Sequence, residues 1–142
     1  VCAVRGNAMM ISTRGRYALR FLIDLAEHQG DGYVPMKEIA ARQGISLKYL
    51  EQIVPALAKA GYLKGLSGKR GGYRLAVSPE NCRAGDILRL TEGDFAPVAC
   101  LAPGAKPCPR EQDCRTIGMW RGFAQLAHDY FDSITLADLM QG

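Results

Sequence analysis

A pair of helical segments joined at Gly44 limits the folds open to this sequence more than any other pattern in it. The first segment follows Pro35, whose fixed φ suits the first turn of a helix. Ala40 lies four residues before Gly44, which predicts a small side chain where two helices nearly touch and a glycine with positive φ in the turn. Ser46 is the predicted N-cap of the second helix. One face of that helix is apolar and carries Leu50, Ile53, Val54 and Leu57. We therefore predict a helix-turn-helix.

The second helix of this pair has a polar outer face and contains a proline. The polar positions are Lys48, Tyr49, Gln52 and Lys59. Pro55 removes one backbone hydrogen bond and crowds the carbonyl four residues earlier, which predicts a kink or a restart after Val54. The part before the proline is about two turns long, which is enough to present side chains to a DNA major groove.

Two short β-type runs, residues 62–66 and 73–77, follow the helix pair and are joined by a glycine-rich loop. Lys69 and Arg70 lie at the tip of this loop, where packing gives no reason for two cations. Basic side chains in that position suit a phosphate backbone or a minor groove. A helix-turn-helix followed by a basic hairpin predicts a winged helix, mainly α-helical with a small β-hairpin wing. A winged helix used only for protein contacts is the alternative.

Charge is distributed unevenly along the 142 residues. Residues 1–90 contain 14 Lys and Arg against seven Asp and Glu, a net charge of +7, whereas residues 91–142 contain four against seven, a net charge of −3. The basic part suggests a polyanionic partner, although a solvated basic face has the same composition. Together with the polar second helix and the basic hairpin, this distribution favours DNA binding.

An amphipathic helix precedes the helix-turn-helix. It begins at Ser12 or Thr13 as N-cap and ends at Gly30. Its apolar residues recur at the three-four spacing of a buried face: Ala18, Phe21, Leu22, Leu25 and Ala26. Residues 1–10 show no pattern, and we expect a disordered leader there, with the natural start at Met9 or Met10.

The chain divides at residue 79 in this interpretation. We expect a winged helix-turn-helix domain over residues 11–79, and a cysteine loop with a dimerisation helix over residues 80–142. No apolar run approaches the roughly 18 residues of a membrane-spanning helix, and no secretory signal is visible. We therefore expect a cytoplasmic protein without a membrane partner.

Three of the five cysteines, Cys100, Cys108 and Cys114, lie close together in the sequence. An odd count without a secretory signal makes a disulfide framework the weaker interpretation. Clustered thiolates on a proline-containing loop suit zinc or an iron–sulfur cluster, both of which prefer four ligands from the protein. The spacing Cys-x7-Cys-x5-Cys differs from the tight Cys-x2-Cys of a zinc knuckle. We predict that these three cysteines bind a metal or a cluster.

A fourth ligand is not evident from the sequence. His28 and His128 are distant from the cysteines, and each is more typical of a polar-face or core histidine. Glu111 and Asp113 lie between the cysteines and could supply oxygen, although acidic loop residues are usually solvated. Three reduced cysteines without a cofactor, or a peroxide-driven Cys108–Cys114 disulfide, would produce the same sequence.

An enzyme is the competing class of function, with a thiol oxidoreductase using Cys108 or Cys114 as its most plausible form. The sequence lacks a Cys-x2-Cys redox pair, a glycine-rich nucleotide loop and a recognisable acid–base constellation. We therefore expect a regulator rather than an enzyme.

Aromatic and small residues share one face of a helix predicted after the cysteine loop. So wide an aromatic face exceeds what the core of a small chain needs, and we predict a subunit interface, with intramolecular core as the alternative. The predicted interface residues are Trp120, Phe123, Ala127, Tyr130 and Phe131. Helix-turn-helix proteins usually bind palindromes as two-fold dimers, so a dimerisation element is expected here. A final capped helix over residues 133–140 should fold back through Leu136 and Leu139.

Beyond these patterns, the sequence resembles the Rrf2 family of bacterial winged-helix transcription regulators, of the IscR, NsrR and CymR type. The similarity extends from Ile11 to Met140. It is carried by Ser12–Ala18 in the first helix, Gly44–Gln52 at the turn and recognition helix, Arg70–Leu75 in the wing, and Ser133–Leu139 near the end. The three cysteines lie where cluster-binding members carry theirs, just before a tryptophan-bearing dimer helix.

The resemblance implies a homodimeric regulator that binds double-stranded DNA at a palindromic operator. The implied major-groove residues lie in the segment Ser46–Gln52 and include Ser46, Lys48, Tyr49 and Gln52. The implied wing contacts near the minor groove are Lys69 and Arg70, and those near phosphates from the first helix are Ser12, Arg14 and Arg16.

The resemblance also implies a [2Fe-2S] or [4Fe-4S] cluster on Cys100, Cys108 and Cys114, which senses redox, iron or nitric oxide status. The first cysteine gap is longer than the family's usual Cys-x5-Cys-x5-Cys spacing. Ile117 replaces the histidine ligand of one branch, and Arg16 replaces the helix-one aspartate of another. Cluster type and fourth ligand therefore stay open, and a cofactor-free thiol switch or ligand-responsive regulator is the alternative.

Overall fold

The computed structural model describes residues 11–142, and the leader expected at residues 1–10 lies outside them. The fold class expected from the sequence, mainly α-helical with a small hairpin, is confirmed. The helices are α1 (Thr13–His28), α2 (Met36–Gln43), α3 (Leu47–Lys59), α4 (Ala84–Glu92), α5 (Ile117–Asp132) and α6 (Leu136–Gln141). The hairpin strands are β1 (Leu63–Leu66) and β2 (Gly72–Leu75), and short 3-10 turns span Pro79–Asn81, Ala99–Leu101 and Glu111–Asp113.

The turn between α2 and α3 has the predicted geometry. Gly44 ends α2 with φ of 63°, a conformation that side chains with a Cβ rarely adopt. The Ser46 side chain accepts a hydrogen bond from the Tyr49 amide at 3.1 Å and so caps α3. Of the kink or restart predicted at Pro55, the restart is not observed, because α3 continues through the proline as one helix. Pro55 is exposed, and the buried Val54 and Leu57 on either side anchor the helix to the same core.

The hydrophobic core is centred on α1, whose inward face is fully buried. Ala18, Phe21, Leu22 and Leu25 of this face are inaccessible to solvent. Side chains from α2, α3, both strands and α4 pack around them, as does Leu136 of α6. Burying each large apolar side chain contributes about 1.5–3 kcal/mol, so this core dominates the stability of the winged part. Leu136 ties the end of the chain to that core.

A buried carboxylate fastens α1 to α2. Asp24 is 2% exposed and accepts hydrogen bonds from Arg42 at 2.6 Å and from Gln43 at 2.8 Å. Burial by itself would raise the pKa of Asp24, but these hydrogen bonds outweigh it and hold the pKa below its ordinary value. The negative charge of Asp24 is therefore balanced by Arg42 within the buried site. The same contacts fix the orientation of α2 beside α1.

The hairpin is antiparallel and contacts the loop that precedes α2. Leu63 pairs with Leu75 and Leu66 with Gly72, so the strands lie within two residues of the predicted ends. Val34 forms an isolated bridge with Tyr73. Gly72 has φ of 151°, and a Cβ there would lie 2.3 Å from the carbonyl oxygen of Val34. Only glycine fits at this close approach of two backbone segments. The approach fixes the position of the hairpin relative to α2.

The C-terminal part contains one long connection and two further helices. The final helix begins at Leu136, where Thr135 and Asp138 form a capping box. Between residues 93 and 135, Phe95 is the one buried residue; its ring lies 5.1 Å from that of Phe131. No helix within residues 11–142 is both long enough and apolar enough to cross a membrane.

Candidate functional site

Exposed cations without an ion-pair partner are concentrated on α1, α3 and the hairpin. On these elements, none of the following forms a salt bridge within residues 11–142: Arg14, Arg16, Arg20, Lys48, Lys59, Lys64, Lys69 and Arg70. Five other exposed cations without a salt bridge lie elsewhere in the described residues: Lys37, Arg83, Lys106, Arg110 and Arg115. By contrast, Arg42, Arg89 and Arg121 each pair with a carboxylate. Cations left unpaired on one set of elements are available to an external polyanion.

The starts of α1 and α3 are held side by side. The hydroxyl groups of Thr13 and Tyr49 lie 3.0 Å apart. The Tyr49 ring also packs edge-on against Tyr17, with ring centroids 5.3 Å apart. Tyr49, one of the expected DNA contacts, is therefore half-buried and engaged within the chain, and it brings the exposed residues of α1 beside those of α3.

The exposed face of α3 contains Lys48, Gln52 and Lys59 of the predicted polar face, but not the half-buried Tyr49. Lys48 and Gln52 are both exposed and lie four residues apart, so their side chains project from the same side of the helix. Glu51 is exposed beside them. The Ser46 oxygen is used as the helix cap, which leaves its hydroxyl hydrogen free to donate to another acceptor.

A carboxylate that the sequence did not reveal occupies the N-terminus of α1. Glu92 Oε1 accepts hydrogen bonds from the Ser12 amide at 2.9 Å, the Ser12 hydroxyl at 2.6 Å and the Gly15 amide at 3.2 Å. Ser12 is the N-cap residue by position, but Glu92 does the capping. Because the two ends of this contact are 80 residues apart, no local pattern could have predicted it.

The three clustered cysteines line one cavity of about 250 Å³. Cys100 comes from the turn Ala99–Leu101, Cys108 from the loop, and Cys114 from the residues just before α5. The same cavity is lined by Lys106, Glu111 and Arg121. The structure thus brings together three soft sulfur donors, one carboxylate and two cations.

The start of α5 lowers the pKa of the Cys114 thiol. The Thr116 hydroxyl lies 3.5 Å from the sulfur, and the backbone amides of Thr116 and Ile117 together with the Arg121 charge also favour the thiolate. Arg121 in turn pairs with Glu111 at 3.0 Å, and both side chains are about half exposed. By contrast, Cys82 is buried away from the cavity, and burial raises its pKa to about 11.

The donor set of this cavity fits an iron–sulfur cluster. Within residues 11–142, no three Cys, His, Asp or Glu side chains converge closely enough to hold a single metal ion. Iron–sulfur clusters are held by cysteine thiolates. Three thiols around a cavity with two cations suit such an anionic group, and Cys100, Cys108 and Cys114 would hold it.

Neither histidine lies at the cavity. His28 Nδ1 lies 2.8 Å from the Asp24 carbonyl oxygen at the end of α1. His128 lies between Arg89, 3.1 Å from its Nδ1, and Asp94, 3.3 Å from its Nε2. Both histidines are thus engaged in contacts within the chain, away from the cysteines.

The aromatic face of α5 divides between the chain's own packing and solvent. Phe131 packs against Phe95, and Trp120 and Ala127 are half-buried. Phe123 and Tyr130 are exposed, the latter at 63%. Two further apolar residues, Met119 at 58% and Leu126 at 68% exposure, continue this face and were not predicted. Their three-four spacing with Phe123 and Tyr130 is the signal that could have found them.

Comparison with known proteins relates the chain to transcription regulators. The profile of the family described as "Rrf2: Iron-dependent Transcriptional regulator" matches residues 11–142. The protein rrf2 of Nitratidesulfovibrio vulgaris (Hildenborough) is 42% identical over 133 residues, which cover 94% of this chain and 88% of that protein. The family description and the further relatives named IscR and CymR are those of transcription regulators rather than enzymes.

Solved structures show the same relationship. The global cysteine regulator CymR of Bacillus subtilis superimposes with a TM-score of 0.75 at 38% identity, covering 93% of this chain and 96% of that one. IscR of T. potens superimposes with a TM-score of 0.73 at 37% identity, covering 93% of this chain and 86% of that one. The fold of this chain is therefore similar, over 93% of its length, to the folds of two known regulators.

Proposed function

Because the chain belongs to the Rrf2 family of transcription regulators, we propose that it binds a palindromic DNA operator as a homodimer and senses redox, iron or nitric oxide status through an iron–sulfur cluster. The cluster ligands are Cys100, Cys108 and Cys114. DNA contacts come from the N-terminus of α1, the exposed face of α3 and the tip of the hairpin.

The exposed, unpaired cations carry the DNA-binding part of this proposal. Arg14 and Arg16 lie in the first turn of α1, and the Thr13–Tyr49 contact holds that end of α1 against α3. Lys48 and Gln52 project from the recognition helix, where a glutamine can bond to a base edge and a lysine to a base or phosphate. Lys69 and Arg70 extend the positive charge onto the wing.

Two substitutions separate phosphate contacts from base reading. Arg70→Ala should weaken binding to all sequences alike and reduce the salt slope by about 0.9 for one lost phosphate contact. Gln52→Ala should change preference at one base pair by about 1–3 kcal/mol. Lys37→Ala, an exposed cation of α2 outside this surface, is the control. Fluorescence anisotropy with an operator selected from a genomic library measures all three, and equal losses on every sequence for Gln52→Ala would contradict base reading.

The cysteine cavity supports the sensing part. Anaerobic purification followed by iron, sulfide and zinc analysis and a visible spectrum tests it directly. We expect iron and acid-labile sulfide in the protein as isolated or after anaerobic reconstitution. A colourless, iron-free protein after reconstitution would contradict the proposal, and stoichiometric zinc would indicate a structural site instead.

A cofactor-free thiol switch is the second candidate, and the lowered pKa of Cys114 favours it. A thiolate beside two other cysteines in one cavity is the arrangement from which peroxide forms a disulfide: the thiolate is oxidised to a sulfenic acid, and a second thiol displaces water. Mass mapping of thiols before and after peroxide treatment distinguishes the two, because only the switch predicts a Cys114-containing disulfide that changes DNA affinity without iron.

A further inference from the structure

The side chains around the cysteine cavity leave one candidate for a fourth ligand. Apart from the three cysteines, Glu111 is the one residue lining this cavity, among residues 11–142, whose side chain commonly ligates iron. The neighbouring Asp113 is exposed and does not line the cavity. Ile117 does line it but offers no donor atom.

The backbone holds Glu111 between two of the cysteines. It begins the 3-10 turn Glu111–Asp113, and its amide donates a hydrogen bond to the carbonyl oxygen of Cys108 at 3.0 Å. Cys114 follows directly after that turn. The carboxylate is therefore carried on the same short segment as two of the sulfur donors, and its side chain is half exposed rather than committed to the core.

We propose that Glu111 supplies the fourth protein ligand of an iron–sulfur cluster on Cys100, Cys108 and Cys114, an inference that rests on the proposed function. Its present partner is Arg121 of α5, at 3.0 Å in a solvent-exposed ion pair that side-chain rotation can break. With this ion pair broken, the Glu111 carboxylate would be free to hold iron of the cluster through an oxygen lone pair, a ligation that needs no electron transfer.

The charges around the cavity suit this ligand set. Three thiolates and a carboxylate outweigh the positive charge of a cluster core, so the whole group is anionic. Lys106 and Arg121 line the same cavity and offset that charge. A carboxylate is a harder and weaker ligand for such a core than a thiolate, so an iron held by Glu111 would be the one released first.

Matched variants of the full chain test the assignment. Glu111→Gln and Asp113→Asn each remove one negative charge from the same turn, but only the first alters a cavity-lining donor. Glu111→Cys replaces the oxygen donor by a thiolate. After anaerobic reconstitution with iron and sulfide, visible absorbance follows cluster loss to an iron chelator, and far-UV circular dichroism checks the fold.

We expect Glu111→Gln to lose its cluster about tenfold faster than the wild type, with Asp113→Asn unchanged and Glu111→Cys slower. If Glu111→Gln and Asp113→Asn both lose iron at the wild-type rate, Glu111 is not a ligand, although the three-cysteine cluster stands. If the wild-type chain takes up no iron or sulfide at all, this inference and the proposed cluster fail together.

Discussion

The winged part of the molecule and the segment from the cysteine loop through α5 are built in different ways. In the former, α1, α2, α3, the hairpin and α4 share one buried core, and a buried Asp24 network fixes the first two helices. In residues 93–135, Phe95 alone is buried, and α5 has no buried residue along its 16 residues. The winged part is ordered by its own side chains, whereas the other segment leaves its sulfur donors and apolar face open to additional groups.

This difference suits the roles proposed for the two regions. A surface that reads DNA needs its side chains preorganised, and the core of the winged part provides this. A sensing segment needs a geometry that changes when a ligand is gained or lost, which a tightly packed core would prevent. Glu92 and Asp94 lie where the two regions meet: Glu92 caps α1, and Asp94 contacts His128 of α5.

The largest expected effect is a loss of stability on disrupting the core of the winged part. Phe21→Ala removes a fully buried ring at the centre of α1 and should lower the free energy of unfolding by about 3–5 kcal/mol. Urea unfolding at fixed protein concentration measures this. Leu47→Ala, at an exposed leucine of α3, is the control and should change stability by less than about 1 kcal/mol. Equal losses for the two variants would show that the core is not where stability lies.

The next effect concerns α5 and should leave folding intact. Leu126 is 68% exposed, and Leu126→Asp places a charge in the middle of the proposed dimer face. Burying that charge against a second copy is so costly that dimerisation should weaken by about 100-fold or more. Sedimentation at a series of concentrations measures the change, and far-UV circular dichroism should stay native. Leu90→Asp, at an exposed leucine of α4, is expected to remain dimeric.

The elements of the winged part could be predicted because their signals are local. The φ of Gly44, the Ser46 cap and the buried face of α1 all follow from residue type and spacing. Helix α3 passes through Pro55 without the restart that was one of the two predicted outcomes, because the core contacts of Val54 and Leu57 outweigh one missing hydrogen bond. Here tertiary packing overrides a local preference.

The contacts that could not be predicted join residues far apart in sequence. Glu92 reaches the start of α1 across 80 residues, and Phe131 packs against Phe95, which lies 36 residues earlier in the chain. Periodicity identified the apolar face of α5 but not which of its residues pack within the chain. The spacing of the cysteines indicated a common site, whereas the closeness of Glu111 and Arg121 to it depends on how the loop folds.

Thiol reactivity sharpens the comparison between the two regions. With a pKa of about 11, Cys82 of the winged core exposes no appreciable thiolate at neutral pH, whereas the lowered pKa of Cys114 favours its thiolate. In reduced, cofactor-free protein, Cys114 should be alkylated at least about 100-fold faster than Cys82. Mass-mapped iodoacetamide labelling measures the rates, and unfolding in denaturant should bring them together. Rapid labelling of Cys82 in the native protein would mean that the core opens readily.

The smallest effect tests whether the α1–α2 network is preorganised by charge. Asp24→Asn keeps the shape of the side chain but removes the charge that Arg42 binds, and should cost about 1–2 kcal/mol at neutral pH. Because Arg42 is about one-third exposed, solvent screening keeps the loss below that of a fully buried pair.

The pH dependence of stability shows whether the charge of Asp24 is responsible for this loss. The pKa of Asp24 is lower in the folded chain than its ordinary value of 3.8, so its charge stabilises the fold above that value, and this contribution disappears as the pH falls through the folded pKa. The stability difference between wild type and Asp24→Asn should therefore be constant near neutrality and shrink below about pH 4. Urea unfolding across this range measures it, with Asp31→Asn as an exposed control. A difference that stayed constant into strong acid would mean that the amide's poorer packing, and not the lost charge, weakens the junction of α1 and α2.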